Sequence, residues 1–587
     1  MARKTTGYSS IPSIEEDNFG EMESPKKAKF VSMIIIAIFT GLILATSINY
    51  AANRSERLPQ NSSFDVPAGV NLASWLALED YFFVGDDGAI EVATFEGNIV
   101  AKCLPPLHVG STTGPMWNSE TDLLAGLIRT GSVRSAIKTF EAFRTSYLDF
   151  DEDLPTIRNL GISRVRVPIS WCLTDYDPTH DDILNQSIEN DDGSDDVLLR
   201  ERYFCKDPFF DDVDWPAIPK PFLQKFLQAC AKYGIKATLD IHTYPGGTSL
   251  GTFSGVWPKQ PLFWEYDDPQ NPETDVGRSI YNNFLGWIES LSDSDPRAFS
   301  GIGAITPMNE PAHLAGLFGP GSSQPEKESF LPLLPIEMAK EYLAKINSLV
   351  EESPSYISVP DGPHLRSLLW QGDALSLFRN SALPSKGIEL HINVHESIFV
   401  ESLVAEDPFD EGGRHPKGTK IFAAWWRGTT TAIERSTWAV LDMHHYHAWE
   451  SVCQGTVDGP PEANYTCLDT EARNEALERC ASWAGMYRDI ADEQLGGGLK
   501  ARLASGEFSA STHHSVRRSC LDITTLRTSY QKQLEAANDA DIDLFWWSWK
   551  MPFGGAFRRA WSFKHFLYLL GVDGISSADV SELPCGN

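Results

Sequence analysis

Two glutamates in this chain are placed to work as a pair. Asn309-Glu310-Pro311 closes the apolar run that begins at Phe299, and Glu507 closes a second run that begins at Ala501. Carboxyl groups at the C-terminal ends of different parallel strands can cleave an acetal. One protonates the leaving oxygen while the other attacks the anomeric carbon, which requires a separation of about 5–5.5 Å. Glu310 and Glu507 are far apart in the chain, so only tertiary structure can bring them that close.

Further polar and aromatic residues fall at strand-end positions where packing alone would use Val, Ile or Leu: Glu79, Arg166, His242, Asn309, His444, Tyr446 and Trp549. The acid needs a raised pKa, which a second carboxylate and desolvation supply. The nucleophile needs the reverse, and Arg166 or the Tyr446 hydroxyl can hold it ionised. Asn309 can hydrogen-bond a sugar 2-hydroxyl. His242 and His444 suit other hydroxyls, and Trp549 suits stacking under a sugar ring. Structural roles compete at each position: Arg166 as a barrel arginine, the Trp546-Trp547-Ser548-Trp549 cluster as core. His444-His445-Tyr446-His447 invites a metal reading, but side chains alternate across a strand, so these groups cannot all converge. The acidic stretch Asp175–Asp196 lacks the spacing of a calcium loop, and the cysteines match no zinc pattern. No metal or cofactor is expected.

Eight short apolar runs separated by helix-like segments must position these residues. They are Gly69–Leu76, Ile162–Ile169, Ile235–His242, Ile302–Asn309, Ile388–His395, Ala439–Tyr446, Arg502–Glu507 and Ile542–Trp549. Repeated strand–helix units imply a parallel sheet, and eight of them close into a (β/α)8 TIM barrel with long loop insertions. Phe222–Tyr233 repeats apolar residues at helical spacing and stops at Gly234, and Ile336–Val350 behaves similarly. Asp175–Asp196 reads as an exposed insertion.

The chain has 587 residues, 42% of them hydrophobic, with 17 Trp and 31 Phe, ample for a large core. Its net charge of −31 opposes nucleic-acid and anionic-membrane partners. Residues 30–48 carry no charge and approach the length of a membrane span, with Lys26, Lys27 and Lys29 just before them. The expectation is a single-pass type II anchor: a disordered cytosolic tail (1–29), a transmembrane helix (30–48), a linker (49–65) and an extracellular or luminal barrel domain (66–587). A signal peptide cleaved near Ala45-Thr46-Ser47, giving a secreted protein, is the alternative. Sequons at Asn53, Asn61, Asn185 and Asn464 agree with a secretory location. Nine cysteines permit disulfides there, with Cys172 and Cys230 read as buried thiols.

Taken in order, seven stretches resemble glycoside hydrolase family 5, in particular its fungal-type exo-β-1,3-glucanase branch. They are Gly69-Val-Asn-Leu-Ala-Ser-Trp-Leu-Ala-Leu-Glu79, the run from Phe140 through Gly161-Ile-Ser-Arg-Val-Arg-Val-Pro-Ile169, Asp240-Ile-His-Thr-Tyr-Pro-Gly246, Asn309-Glu-Pro311, Asp442-Met-His-His-Tyr446, Gly506-Glu-Phe-Ser509 and Phe545-Trp-Trp-Ser-Trp-Lys550. The resemblance spans residues 66–555. It implies Glu310 as acid/base and Glu507 as nucleophile. Arg166, His242, Asn309, His444, Tyr446 and a strand-eight tryptophan, Trp549 with Trp547 as the fallback, would surround them, and Glu79 would bind the non-reducing-end glucose. Three features depart from the pattern: Ala73-Ser74 replaces paired glycines, the loop 243–255 lacks the usual Asn and Asp, and several segments are longer.

The implied activity is retaining hydrolysis of β-glucan by double displacement, as an exo-β-1,3-glucanase with a monomeric domain acting on polysaccharide. The rivals are action on another β-glucan, a mannan or a glycolipid, glucan transfer, and a catalytically silent glucan-binding ectodomain.

Overall fold

The computed structural model describes residues 64–79, 82, 94–95, 98–99, 119–185, 194–248, 254–256, 276–310, 363–395, 426–448, 450, 453–492, 499–513, 518–551 and 558–576. The expected membrane span at 30–48, the tail and most of the linker, the sequons at Asn53 and Asn61, and the helix at Ile336–Val350 lie outside the described residues. Among the described residues no helix is long and apolar enough to cross a membrane.

Eight parallel strands close into a barrel in chain order: β1 (Gly69–Asn71), β2 (Arg164–Ser170), β3 (Lys236–Thr243), β4 (Ile302–Thr306), β5 (Glu389–His395), β6 (Ala439–His444), β7 (Leu503–Phe508) and β8 (Ile542–Trp546). Each falls within or overlaps one of the apolar runs read from the sequence. The last strand pairs back onto the first, Val70 beside Trp546. Closure leaves no unpaired edge, which is why such short strands suffice.

Around the barrel run α1 (Glu120–Thr130), α2 (Val133–Tyr147), α3 (Asp153–Asn159), α4 (Lys220–Tyr233), α5 (Val276–Ser294), α6 (Pro363–Asn380), α7 (Ile523–Asp539) and α8 (Phe563–Leu570). Local signals set their ends. Ser132 caps α2 reciprocally with Ser135, and Gly234 terminates α4 at φ 67°, a left-handed turn that glycine enters without steric cost. The buried face of α4 is Leu223, Phe226, Leu227 and Cys230, at the spacing the sequence pattern required.

Two irregularities of register lie where chemistry was expected. Between β2 and β3, Ile169 pairs with Ile241 but Ser170 pairs with Thr243, so His242 is the extra residue of a bulge. Between β7 and β8, Ser505 pairs with Leu544 and Phe508 with Trp546, so a second bulge contains Gly506 and Glu507. Bulges re-aim side chains that would otherwise follow strict alternation.

Among the described residues, three disulfides join Cys172 to Cys205, Cys453 to Cys480 and Cys467 to Cys520. Cys230 is a buried free thiol as expected, whereas Cys172 is not. Cys172 shares an apolar cluster with Trp215, Val213 and Val256, and that same packing holds the returning strand with Cys205 against it. The acidic insertion is also more structured than its composition indicated. Asp181 is buried and accepts hydrogen bonds from Arg202 and Tyr203, tying the segment to the helix Ser194–Tyr203.

Candidate active site

The C-terminal ends of the strands bring Glu310 and Glu507 together. One carboxylate oxygen of each and a ring nitrogen of His444 all lie within 4.8 Å of one another, and all three residues are buried. Glu507 comes from the β7 bulge. Its Oε1 accepts from Arg166 Nη1 at 2.6 Å and its Oε2 from the Tyr446 hydroxyl at 2.7 Å. Two donors aimed at separate oxygens fix the orientation of the carboxylate.

Glu310 sits just beyond β4 with φ 42°, in the left-handed region that a glutamate enters only when its surroundings impose it. Its backbone N–H donates to Asn393 Oδ1 at 2.7 Å, which fixes that turn. Its Oε1 meets His444 Nδ1 at 2.7 Å, and the same nitrogen lies 3.4 Å from Glu507 Oε2. Burial pulls the His444 pKa down, but the charge of Glu507 and the bond to Glu310 outweigh it, so the net shift is upward. The Glu310–His444 hydrogen bond thus lies beside Glu507, an arrangement through which a proton can be delivered and recovered.

Arg166 organises the floor. It is fully buried, donates to Asn71 Oδ1 at 3.0 Å and Asn309 Oδ1 at 2.7 Å, and pairs with Asp240 at 3.0 Å. Burial opposes its charge, but Asp240, Glu507 and Asp442 raise its pKa above the usual arginine value. Asp240 also holds His242 Nδ1 at 2.7 Å, leaving Nε2 facing Asn309 at 3.4 Å and Glu79 at 3.9 Å. Glu79 is buried, and its backbone N–H donates to the Ser74 hydroxyl at 3.0 Å. Ser74 itself has φ 51°. A hydroxyl that satisfies the turn thus stands where the resembled family carries a glycine.

Of the residues expected in the site, Glu79, Arg166, His242, Asn309, Glu310, His444, Tyr446 and Glu507 form one connected network. Trp549 does not join it, and this corrects the choice made from the sequence. Its indole N–H donates to Asp153 at 2.8 Å on α3, and Lys564 lies 5.6 Å from its ring. The buried Asp153 carboxylate, which also receives Lys550 and Lys564, draws the side chain away from the carboxylate pair. Trp547 takes the place instead, its ring 6.0 Å from that of His242 and nearly parallel to it. The Trp547–Ser548 peptide is cis.

Asn71, Asp240, Asn393 and Asp442 were not singled out from the sequence. Asp240 and Asp442 stand two residues before His242 and His444, and that period-two spacing on a strand was the available signal. Asp442 accepts the Gly506 N–H at 2.6 Å. Burial raises its pKa, but His391, His444 and Arg166 bring it down to about 2. The Glu310–His444–Glu507 spacing would also admit a cation, although Arg166 already supplies positive charge to Glu507 and His444 is engaged with Glu310. Sequon residues Asn185 and Asn464 are exposed.

The fold defines an eight-stranded β/α barrel, and the site is a close carboxylate pair at its mouth. No family model matches the chain. A stretch of 107 residues is 32% identical to a β-xylosidase from Phanerodontia chrysosporium, covering 18% of this chain and 20% of that protein. The match thus spans about a fifth of the relative's length. Among solved structures, rutinosidase from Aspergillus niger aligns with 86% of this chain and 97% of its own at 14% identity and a TM-score of 0.42. An endocellulase from Pyrococcus horikoshii covers 68% and 78% at 12% identity and 0.35. An endo-1,4-β-D-mannanase from Thermotoga petrophila RKU-1 covers 68% and 85% at 12% identity and 0.32.

Proposed function

We propose that this protein is a retaining β-glycosidase acting on β-1,3-linked glucan. The observation that carries the reading is the separation of Glu310 and Glu507, whose closest oxygens lie within 4.8 Å. That is the close-spaced class; an inverting pair needs about 6.5–9.5 Å to admit a water between the carboxylates. Glu310 protonates the glycosidic oxygen while Glu507 attacks the anomeric carbon, breaking its bond to the leaving group and forming a glycosyl-enzyme ester. Glu310, now ionised, takes a proton from water, which attacks the same carbon and releases Glu507 with net retention. Arg166 and Tyr446 hold the nucleophilic carboxylate in place between turnovers. Asn309, His242 and Glu79 line the side of the site where sugar hydroxyls would lie, with Trp547 behind His242.

Full-length protein is expected to release sugar from laminarin, with the β-anomer seen first by NMR. An α-anomer as first product, or full activity in Glu507→Gln, would sink the mechanism. A second reading, another β-linked substrate or glycosyl transfer, is favoured by the altered loop after His242. There Gly246 donates to Asp207 and Tyr244 to Pro307, so these two polar groups are turned inward. A panel of β-glucan, mannan, xyloside and glycolipid substrates, with product analysis for transfer, separates these. The uncharged run 30–48 behind three lysines supports a type II anchor with the barrel outside the cytosol. Protease protection in intact microsomes, lost on permeabilisation, is the expected result.

A further inference from the structure

The barrel interior beneath the carboxylate pair is built from charge rather than aliphatic packing. His391 on β5 is 1% exposed and is used by no step above. Its Nδ1 lies 3.7 Å from Asp442 Oδ2 on β6, and its Nε2 lies 3.5 Å from Glu389 Oε2 on its own strand. Neither ring nitrogen reaches hydrogen-bond geometry, yet each faces a carboxylate across the barrel interior. The edge of Phe545 on β8 closes a further side, at 6.2 Å between ring centres. Below, Glu389 pairs with Arg502 at 2.7 Å and Arg164 at 3.4 Å, and Arg164 pairs with Asp543 at 2.9 Å. Above, Asp240, Asp442 and Glu507 all draw on the single guanidinium of Arg166. Three carboxylates share that one fixed cation and the His444 ring, which Asp442 also feels, and His391 stands on the side of Asp442 where a further cation would relieve the remaining negative charge.

We propose that His391 is a buried imidazolium that positions the nucleophile. Its charge anchors Asp442, Asp442 holds the Gly506 N–H, and Gly506 sets the backbone from which Glu507 reaches the site. The kinetic part of this inference rests on the glycosidase reading; the charge itself does not. Burial works against the charge of His391, while Asp442 and Glu389 more than offset it and raise its pKa above 6.5. A raised folded-state pKa gives a stability contribution that is complete below the unfolded value and fades as pH rises through the folded one.

Thermal melts of the full chain from about pH 5 to about pH 10 compare wild type with His391→Gln. The melting-temperature deficit of the variant is expected to be largest at acid pH and to shrink steadily above about 6.5. A deficit that stays flat across the range, or grows with pH, overturns the proposal. Should His391→Gln not fold, Asp442→Asn reads the same ion pair from the other partner, and its deficit must shrink in the same direction. With an active enzyme, the acid limb of the kcat/KM profile in His391→Gln moves up by roughly half to one unit while KM holds. An unmoved limb at wild-type activity overturns the positioning role. A wild-type protein inactive on every substrate defeats the glycosidase reading and leaves the melts to decide the charge.

Discussion

Replacing Tyr446 by Phe isolates one contact of the proposed nucleophile. The ring packs against Trp561 at 5.2 Å between centres, and Phe preserves that packing. What disappears is the 2.7 Å O–H···O bond to Glu507 Oε2, while Arg166 keeps Oε1 at 2.6 Å. A hydrogen bond to an ionised, buried oxygen is worth about 1.5–3 kcal/mol. At about 1.4 kcal/mol per tenfold in rate, kcat/KM falls about 10- to 150-fold. A donor lost from the carboxylate moves the acid limb of the pH–rate profile to higher pH. Steady-state kinetics on an activated aryl β-glucoside across pH measures both, and circular dichroism confirms the fold. Wild-type kcat/KM with an unmoved acid limb would refute the reasoning, because the hydroxyl would then contribute nothing to Glu507. A loss as deep as that of Glu507→Gln would refute it as well, since Arg166 alone should sustain part of the rate.

Glu310→Gln removes the proton donor and is expected to slow hydrolysis of poor leaving groups about 10²- to 10⁴-fold, with far less effect on a dinitrophenyl glycoside; equal losses on both would remove the acid/base assignment. Asp153→Asn leaves the buried ammonium of Lys564 and the partly buried one of Lys550 without their carboxylate, at 3.2 and 2.8 Å in the native protein, and should cost about 3–5 kcal/mol in denaturant titration. Burial raises the Asp153 pKa, but Lys550, Lys564 and Trp549 hold it well below the usual carboxylate range, so its contribution is present above the unfolded value of 3.8 and lost as pH falls through the folded one. The acid sensitivity of the melting temperature should therefore weaken in the variant. Trp547→Ala and Trp549→Ala should separate in kinetics: both rings are buried and each loss costs about 3–5 kcal/mol of stability, but only the first lowers kcat/KM, about tenfold, through the packing on His242. Similar kinetic profiles for the two would contradict the placement of both rings.

The strands were legible because each is a short apolar run ending in polar residues, and closure of eight such units is nearly forced by chain order. That Glu310, Glu507 and six further residues would meet in one network was legible because polar or aromatic side chains at those strand positions have no packing reason to be there. Trp549 was misread because strand alternation was carried past the end of β8, where Asp153 on a distant helix decides which indole turns inward. Cys172 was misread because an apolar neighbourhood is equally compatible with a thiol and with a disulfide. Asp240, His391 and Asp442 were hidden for a different reason: each also pairs across strands, Asp240 with Arg166 and His391 with Asp442, and composition along one strand does not reveal a charge balanced across the barrel.

Gly506 leaves no room for a side chain. A Cβ there would stand 2.6 Å from Asp442 Oδ2 and 3.0 Å from His444 Nε2, both buried. Asp442 cannot withdraw without releasing the Gly506 N–H, and His444 cannot withdraw without leaving Glu310. An alanine at this position would therefore keep both glutamates in the sequence while displacing the backbone that aims one of them. Activity in a chain of this kind depends on an absent methyl group as much as on two carboxylates that are present. Counting the glutamates alone would misclassify a silenced copy as an enzyme.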